Sequence, residues 1–158
     1  MSWEDVSCRY ARGMPLVSKT VEIDAPAEQI TAIVADFEAY PQWNPEIKGC
    51  WILARYDDGR PSQLRLDVEI QGQSGVFITA VYYPADNQIY TVLQQGDHFT
   101  KQEQRFSVVP LGASTLLQVD MEVETKLPIP GPMVKKLIGD TLDHLSAALV
   151  TRVGQLAG

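Results

Sequence analysis

PGPMVKKLIGDTLDHLSAALVTRVGQL, residues 130–156, is the stretch on which the fold turns. Val134, Leu137, Ile138, Thr141, Leu145, Ala148, Leu149, Val153 and Leu156 recur at steps of three and four, so they share one face of a helix. At about 1.5 Å per residue such a helix runs roughly 35–40 Å, the width of a small domain. No other segment carries a comparable helical stripe, and most of what precedes it reads as strand. One long apolar face needs something concave to lie in, and a curved sheet can supply it.

Working outward, the segment just before the helix is the cleanest strand of the chain. In Ser114 to Lys126, Leu117, Val119, Met121 and Val123 oppose Gln118, Asp120, Glu122 and Glu124, and Pro128, Pro130 and Pro132 then end the run. Phe99 to Val109 precedes it. Its more charged face holds Phe99, Lys101, Glu103 and Arg105, which leaves Gln102 and Gln104 beside Phe106 on the inner face. Gln88 to Gln95 is a further strand. In Gln63 to Gln71, Leu64, Leu66, Val68 and Ile70 alternate with Arg65, Asp67 and Glu69. A two-residue hairpin at Gly72-Gln73 pairs Ile70 with Gly75 and Val68 with Phe77, turning Phe77, Thr79, Val81 and Tyr83 inward. A three-residue loop would turn Val76, Ile78 and Ala80 inward instead. Ile47 to Tyr56 is a strand closed by Asp57-Asp58-Gly59, and Val17 to Asp24 is the first strand. Asp24 is placed to cap a short helix with Pro26 in its first turn and Ile30, Ile33, Val34 and Phe37 as its buried stripe. The prolines of FEAYPQWNP, residues 37–45, break that helix. Its three aromatics are read either as a turn capping the core or as a rim, with Trp43 over a cavity mouth.

The order is one strand, one or two short helices, six strands and a long helix. Short turns between successive strands make the sheet antiparallel, with one apolar and one charged face. The class is α+β. Residues 16–158 are expected to form one domain, with 1–15 as a loose arm. Met14, directly before the first patterned strand, is a second possible start of translation.

Bulk properties exclude several roles. The formal net charge is −7 over 158 residues, which disfavours nucleic acid and anionic lipid surfaces as partners. Cys8 and Cys50 form neither a disulfide framework nor a metal spacing, which suits a reducing compartment. No apolar run reaches membrane-spanning length, so stable insertion is not expected. The first residues, MSWEDVSCRYARG, lack the apolar core of a signal peptide. A cytoplasmic monomer or homodimer is the expectation.

With the pattern assembled, the chain resembles the helix-grip fold of the START-like (SRPBCC) superfamily. The resemblance is carried by VEIDAPAEQITAIVADFEAYPQWNP, residues 21–45, and by residues 117–153. The opening strand, Ala-Pro-Ala-Glu, helix, aromatic-Pro-x-Trp is similar to the bacterial polyketide cyclase/dehydrase and coenzyme-Q-binding branch. The resemblance implies a seven-stranded curved antiparallel sheet wrapped around the last helix, two short helices after the first strand, and a cavity between helix and sheet. It also implies a hydrophobic ligand, with a minority of members acting as cyclases or aromatases.

The ligand-facing candidates are therefore Trp43, Leu66, Val68, Phe77, Thr79, Val81, Tyr83, Gln102, Gln104, Phe106, Leu117, Val119, Leu137, Thr141, His144 and Leu145. Gln102 and Gln104 stand out on an apolar wall, because buried amides need partners. They either meet water at the strand's open end or orient a ligand's carbonyl or hydroxyl. Glutamine does not titrate, so it suits binding better than proton transfer. His144 lies at the boundary of the helical stripe. His98, after Gly96-Asp97, is expected to be solvated. Two separated histidines without paired carboxylates make a poor metal site, and no cofactor, metal or catalytic residue is assigned. Arg152 falls on the stripe and either snorkels to solvent or meets an anionic ligand group. Tyr83 and Tyr90 are read either as pocket hydroxyls or, in preference, as ordinary core tyrosines. Three roles follow: a carrier of a lipid, isoprenoid quinone or polyketide; a polyketide cyclase or aromatase in the same cavity; or an interaction module whose core is filled. The first is preferred, and the expectation leans away from an enzyme.

Overall fold

A computed structural model describes residues 16–70, 72–126 and 129–157. The arm expected over residues 1–15, with Cys8 and Met14, lies outside the described residues, as does Pro128. Strand β1 (Leu16–Ile23) is followed by helix α1 (Ala27–Ala35) and a 3-10 helix over Phe37–Gln42. Six strands come next: β2 (Ile47–Arg55), β3 (Pro61–Ile70), β4 (Gln73–Tyr82), β5 (Gln88–Gly96), β6 (Phe99–Leu111) and β7 (Ser114–Thr125). Helix α2 (Gly131–Ala157) closes the chain. The strands form one antiparallel seven-stranded sheet in the order β1-β7-β6-β5-β4-β3-β2. Each strand from β2 to β7 pairs with its sequence neighbour, and β1 crosses to the edge beside β7. The sheet curves as an open grip around α2, which packs against β1 and β7. The architecture is the helix-grip.

The burial of α2 follows its sequence spacing. Val134, Ile138, Leu145, Leu149 and Val153 are buried, as the three-and-four pattern predicts. Two positions differ. Leu142 is 1 % exposed although the stripe passes over it in favour of Thr141, and Leu156 is exposed in the last turn of the helix. Residues 141 and 142 are 100° apart, so both border a face wide enough to touch sheet on one side and open space on the other. Lys19 on β1 pairs with Asp143 on the exposed side of α2, and that lysine's hydrogen bond holds the Asp143 carboxyl below its ordinary range.

Two local expectations are corrected here. Asp24 does not cap α1: the cap position is Pro26, with no side-chain hydrogen bond. The β3–β4 hairpin pairs Ile70 with Gln73, Val68 with Gly75 and Leu66 with Phe77, which places Gly72 in the turn. Gly72 supplies the positive φ of +79° that this tight turn requires. The register is two residues from the expected one, and a two-residue shift leaves every side chain on the same face. Phe77, Thr79 and Val81 are accordingly buried. His98 is partly exposed. Its ring lies over Gly75 between Phe77 and Phe99, and Nε2–H donates to the Ser74 carbonyl at 2.9 Å.

The outer face of the sheet is charged but not freely exposed. Glu103, Arg105 and Glu122 are buried there, Lys101 pairs with both glutamates, and the Tyr90 hydroxyl donates to Glu103. Tyr90 is thus committed to the face opposite the helix.

Candidate functional site: a cavity between sheet and helix

The inner faces of the strands do not fill the grip. A cavity of about 110 Å³ remains between the sheet and α2. Leu64, Leu66, Val68 and Ile70 of β3 form one wall, in the alternation read from the sequence. Phe77 and Thr79 of β4, Thr91 of β5, Gln102, Gln104 and Phe106 of β6, and Met121 and Val123 of β7 complete the sheet side, together with Phe99, which was expected on the charged face but is turned inward by the register shift between Phe99 and Lys101. Leu137, Ile138, Thr141 and Leu145 of α2 face them. Phe37, Tyr40, Asn44, Glu46 and Ile47, between α1 and β2, form the rim.

The structure brings Leu66, Val68, Phe77, Thr79, Gln102, Gln104, Phe106, Leu137, Thr141 and Leu145 together around this space. It places the other candidates elsewhere. Trp43 is buried behind the rim, its ring edge-on to Tyr40 at 5.0 Å, and does not form part of the wall. Val81, Leu117 and Val119 are fully buried core. The hydroxyl of Tyr83 donates to the Pro61 carbonyl, and the Arg60 guanidinium sits 4.2 Å from its ring centroid. The His144 side chain is 67 % exposed, and its Nδ1–H donates to Glu46 Oε1 at 3.1 Å, so it touches the rim from outside. Arg152 does likewise, donating to Gln42 Oε1 at 3.1 Å. These two bonds tie α2 to the rim segment.

The rim is where sequence reading found least. Its aromatics do cap the core: Phe37 and Tyr40 meet at 5.5 Å and both reach the cavity. The Tyr40 hydroxyl donates to the carbonyl of Val34, one of the last carbonyls of α1. Burial pushes this phenol far above its ordinary pKa, with smaller contributions from Cys50, Tyr83 and Asp36. Tyr40 therefore offers the cavity a ring and keeps its proton. Asn44 Oδ1 accepts the Glu46 backbone N–H at 3.1 Å, shaping the turn into β2. Ile47 points inward because the register shifts between Ile47 and Gly49, which breaks the period of two. Thr91 was missed because β5 carries too little charge contrast to fix its phase; its pairing with Gln104 settles it.

Among the lining residues, the ionisable ones are Glu46 at the rim and Tyr40. The rest of the polarity is neutral: Thr79, Thr91, Gln102 and Gln104 from the sheet, Thr141 from the helix and Asn44 from the rim. Gln102 Oε1 is buried without a hydrogen-bond partner. Such an orphan acceptor costs about 1–3 kcal/mol, and its presence on a cavity wall marks a place to be met. No group of three His, Cys, Asp or Glu side chains converges on a metal position among the described residues. No described helix is long and apolar enough to cross a membrane.

The sequence matches the family described as polyketide cyclase / dehydrase and lipid transport over residues 23–150. The chain belongs to this family. A START superfamily protein from Mycobacterium smegmatis is 82 % identical, with a TM-score of 0.88 over 89 % of this chain and 98 % of that one. The Zhui aromatase/cyclase from Streptomyces sp. R1128 shares the fold at 16 % identity, TM-score 0.78, over 92 % and 96 % of the two chains. Ginseng major latex-like protein 151 from Panax ginseng does so at 12 % identity, TM-score 0.64, over 84 % and 95 %. A search of the curated proteins finds no match. Membership of this polyketide cyclase/dehydrase and lipid transport family supports a role in binding a hydrophobic ligand or in cyclisation.

Proposed function

We propose that the protein binds and carries a hydrophobic small molecule, a lipid, isoprenoid quinone or polyketide, in the cavity between sheet and α2. The observation that carries this reading is the chemistry of the wall: apolar side chains with a few neutral polar groups, and a single carboxylate at the rim. Pockets of this composition bury a ligand's apolar body and fix its orientation through few contacts. Proton transfer needs a group that titrates near the working pH, within reach of the reacting atom. Tyr40 holds its proton on Val34, and Glu46 sits outside the sheet-side wall against His144. The proposed setting is the cytoplasm, as a monomer or homodimer without cofactor or metal. The net charge of −7 supports a partner other than nucleic acid.

The alternative, cyclisation of a polyketide in the same cavity, is favoured by one observation: Gln102 and Gln104 both face the cavity, where their amides could hold a developing enolate oxygen. One experiment separates the readings. The protein is purified from its native host, run by native mass spectrometry and extracted with solvent. A stoichiometric hydrophobic adduct supports the carrier. If none co-purifies and fluorescent fatty-acyl and quinone probes are ignored, the carrier reading fails. Turnover of a poly-keto thioester that is lost in Gln104→Leu would favour the cyclase.

A further inference from the structure

The polar groups inside the cavity are of one kind. Thr79, Thr91 and Gln104 stand on β4, β5 and β6, with Thr91 and Gln104 directly paired across the strands. Gln102 follows on the same face of β6, and Thr141 faces the sheet from α2. All are neutral, and all can both donate and accept hydrogen bonds. Among the described residues no Lys, Arg or His side chain contributes to the wall; the charge lining the rim is the Glu46 carboxylate, with Arg152 outside it on Gln42. An anionic head group brought inside would lose its hydration with no cation to replace it, and would pass a like charge on the way in. A neutral oxygen would lose little, because the amides and hydroxyls stand ready to take its hydrogen bonds. Gln102, whose Oε1 has no partner, would gain one.

From this we infer that the cavity selects neutral, oxygen-bearing apolar molecules, alcohols, phenols or ketones, and rejects carboxylates. Resting on the binding role proposed above, this adds the charge class of the ligand. Gln102, Gln104 and Thr141 are the specificity-determining residues. Free fatty acids are then poor ligands, whereas an uncharged ring bearing a hydroxyl or keto group is a good one. The cavity volume of about 110 Å³ sets the scale. A dry cavity of roughly 150 Å³ holds one benzene ring, so the enclosed part of the ligand is about one ring, with any longer portion directed to the rim.

The test uses three probes of one shape: 4-propylphenol, 4-propylbenzoate and propylbenzene. Binding to the full chain is measured by titration calorimetry at pH 7, where the phenol is neutral and the benzoate ionised. The phenol is expected to bind at least tenfold tighter than the benzoate and severalfold tighter than propylbenzene. Thr141→Lys, which places an ammonium on the helix side of the cavity, should reverse the phenol–benzoate order. Gln102→Leu/Gln104→Leu should remove the phenol's advantage while leaving propylbenzene within about twofold. A benzoate that binds within threefold of the phenol overturns the inference and leaves the cavity's binding role intact. Failure of all three probes overturns the binding role and the inference together. The unmodified protein alone decides the phenol–benzoate ratio, so a variant that does not fold leaves the test complete.

Discussion

Two leucines of α2, five residues apart, should respond very differently to the same truncation. Leu142 is 1 % exposed and packed in the core, whereas Leu137 is half-buried and borders the cavity. Leu142→Ala removes three buried carbons and leaves a new void, at a combined cost of about 3–5 kcal/mol. Leu137→Ala removes the same atoms from a wall that already faces open space. Little new walled-off volume appears, and the cost falls to about 1 kcal/mol, mostly partial loss of transfer energy. In a chain of 158 residues each kcal/mol lowers Tm by about 2–4 °C, so the expected drops are about 10 °C and about 3 °C. Urea unfolding of the ligand-free protein, followed by circular dichroism at 25 °C, reads the difference directly. The slope of free energy against urea should stay constant in both variants. Equal losses, within about 1 kcal/mol, would show that the space beside Leu137 is filled in solution and would refute the cavity as described.

Tyr40→Phe keeps the ring at the rim but leaves the Val34 carbonyl without its hydroxyl partner, so a loss of about 1–3 kcal/mol is expected by urea unfolding. A loss below about 0.5 kcal/mol would mean that the carbonyl finds another donor. Gly75→Ala sets a methyl 2.6 Å from His98 Nε2, which is held by Ser74, and should cost about 1–3 kcal/mol. Adding His98→Ala should recover part of that loss, and strict additivity of the two would disprove the clash. The Cys50 thiol is pushed up to about 12 by burial, with a smaller push from Glu38. The folded state therefore keeps this proton to higher pH than the unfolded state, and stability falls as pH rises from about 8.5 through that window. Cys50→Ala should flatten the decline, and identical pH profiles for the two proteins would rule Cys50 out as its source.

What the sequence made legible is what period and turn chemistry control. The alternation at Leu64, Leu66, Val68 and Ile70 and the helical stripe ending at Val153 are both set by burial of one face, so they survive small errors of register. The hairpin shows why: it is two residues from its expected pairing, yet Phe77 and Thr79 still point inward. Legibility ends where the chain stops repeating. Between Phe37 and Ile47 a 3-10 helix, a turn held by Asn44 and a register shift before Gly49 replace any period; the aromatics Phe37 and Tyr40 could be read as a rim, whereas Asn44, Glu46 and Ile47 lie on the wall unannounced. Burial alone also cannot separate core from cavity. Val119 and Met121 look identical in sequence, on the same face of β7, yet Met121 reaches the cavity and Val119 does not. That difference depends on how far α2 follows the curve of the sheet, and the helix packs on β1 and β7 at one edge while His144–Glu46 and Arg152–Gln42 link it to the rim. Exposed pairs of this kind contribute little, about 0–1 kcal/mol each. Two such bonds between distant segments leave no periodic signal, so the sequence carries no sign of where the grip closes and where it stays open.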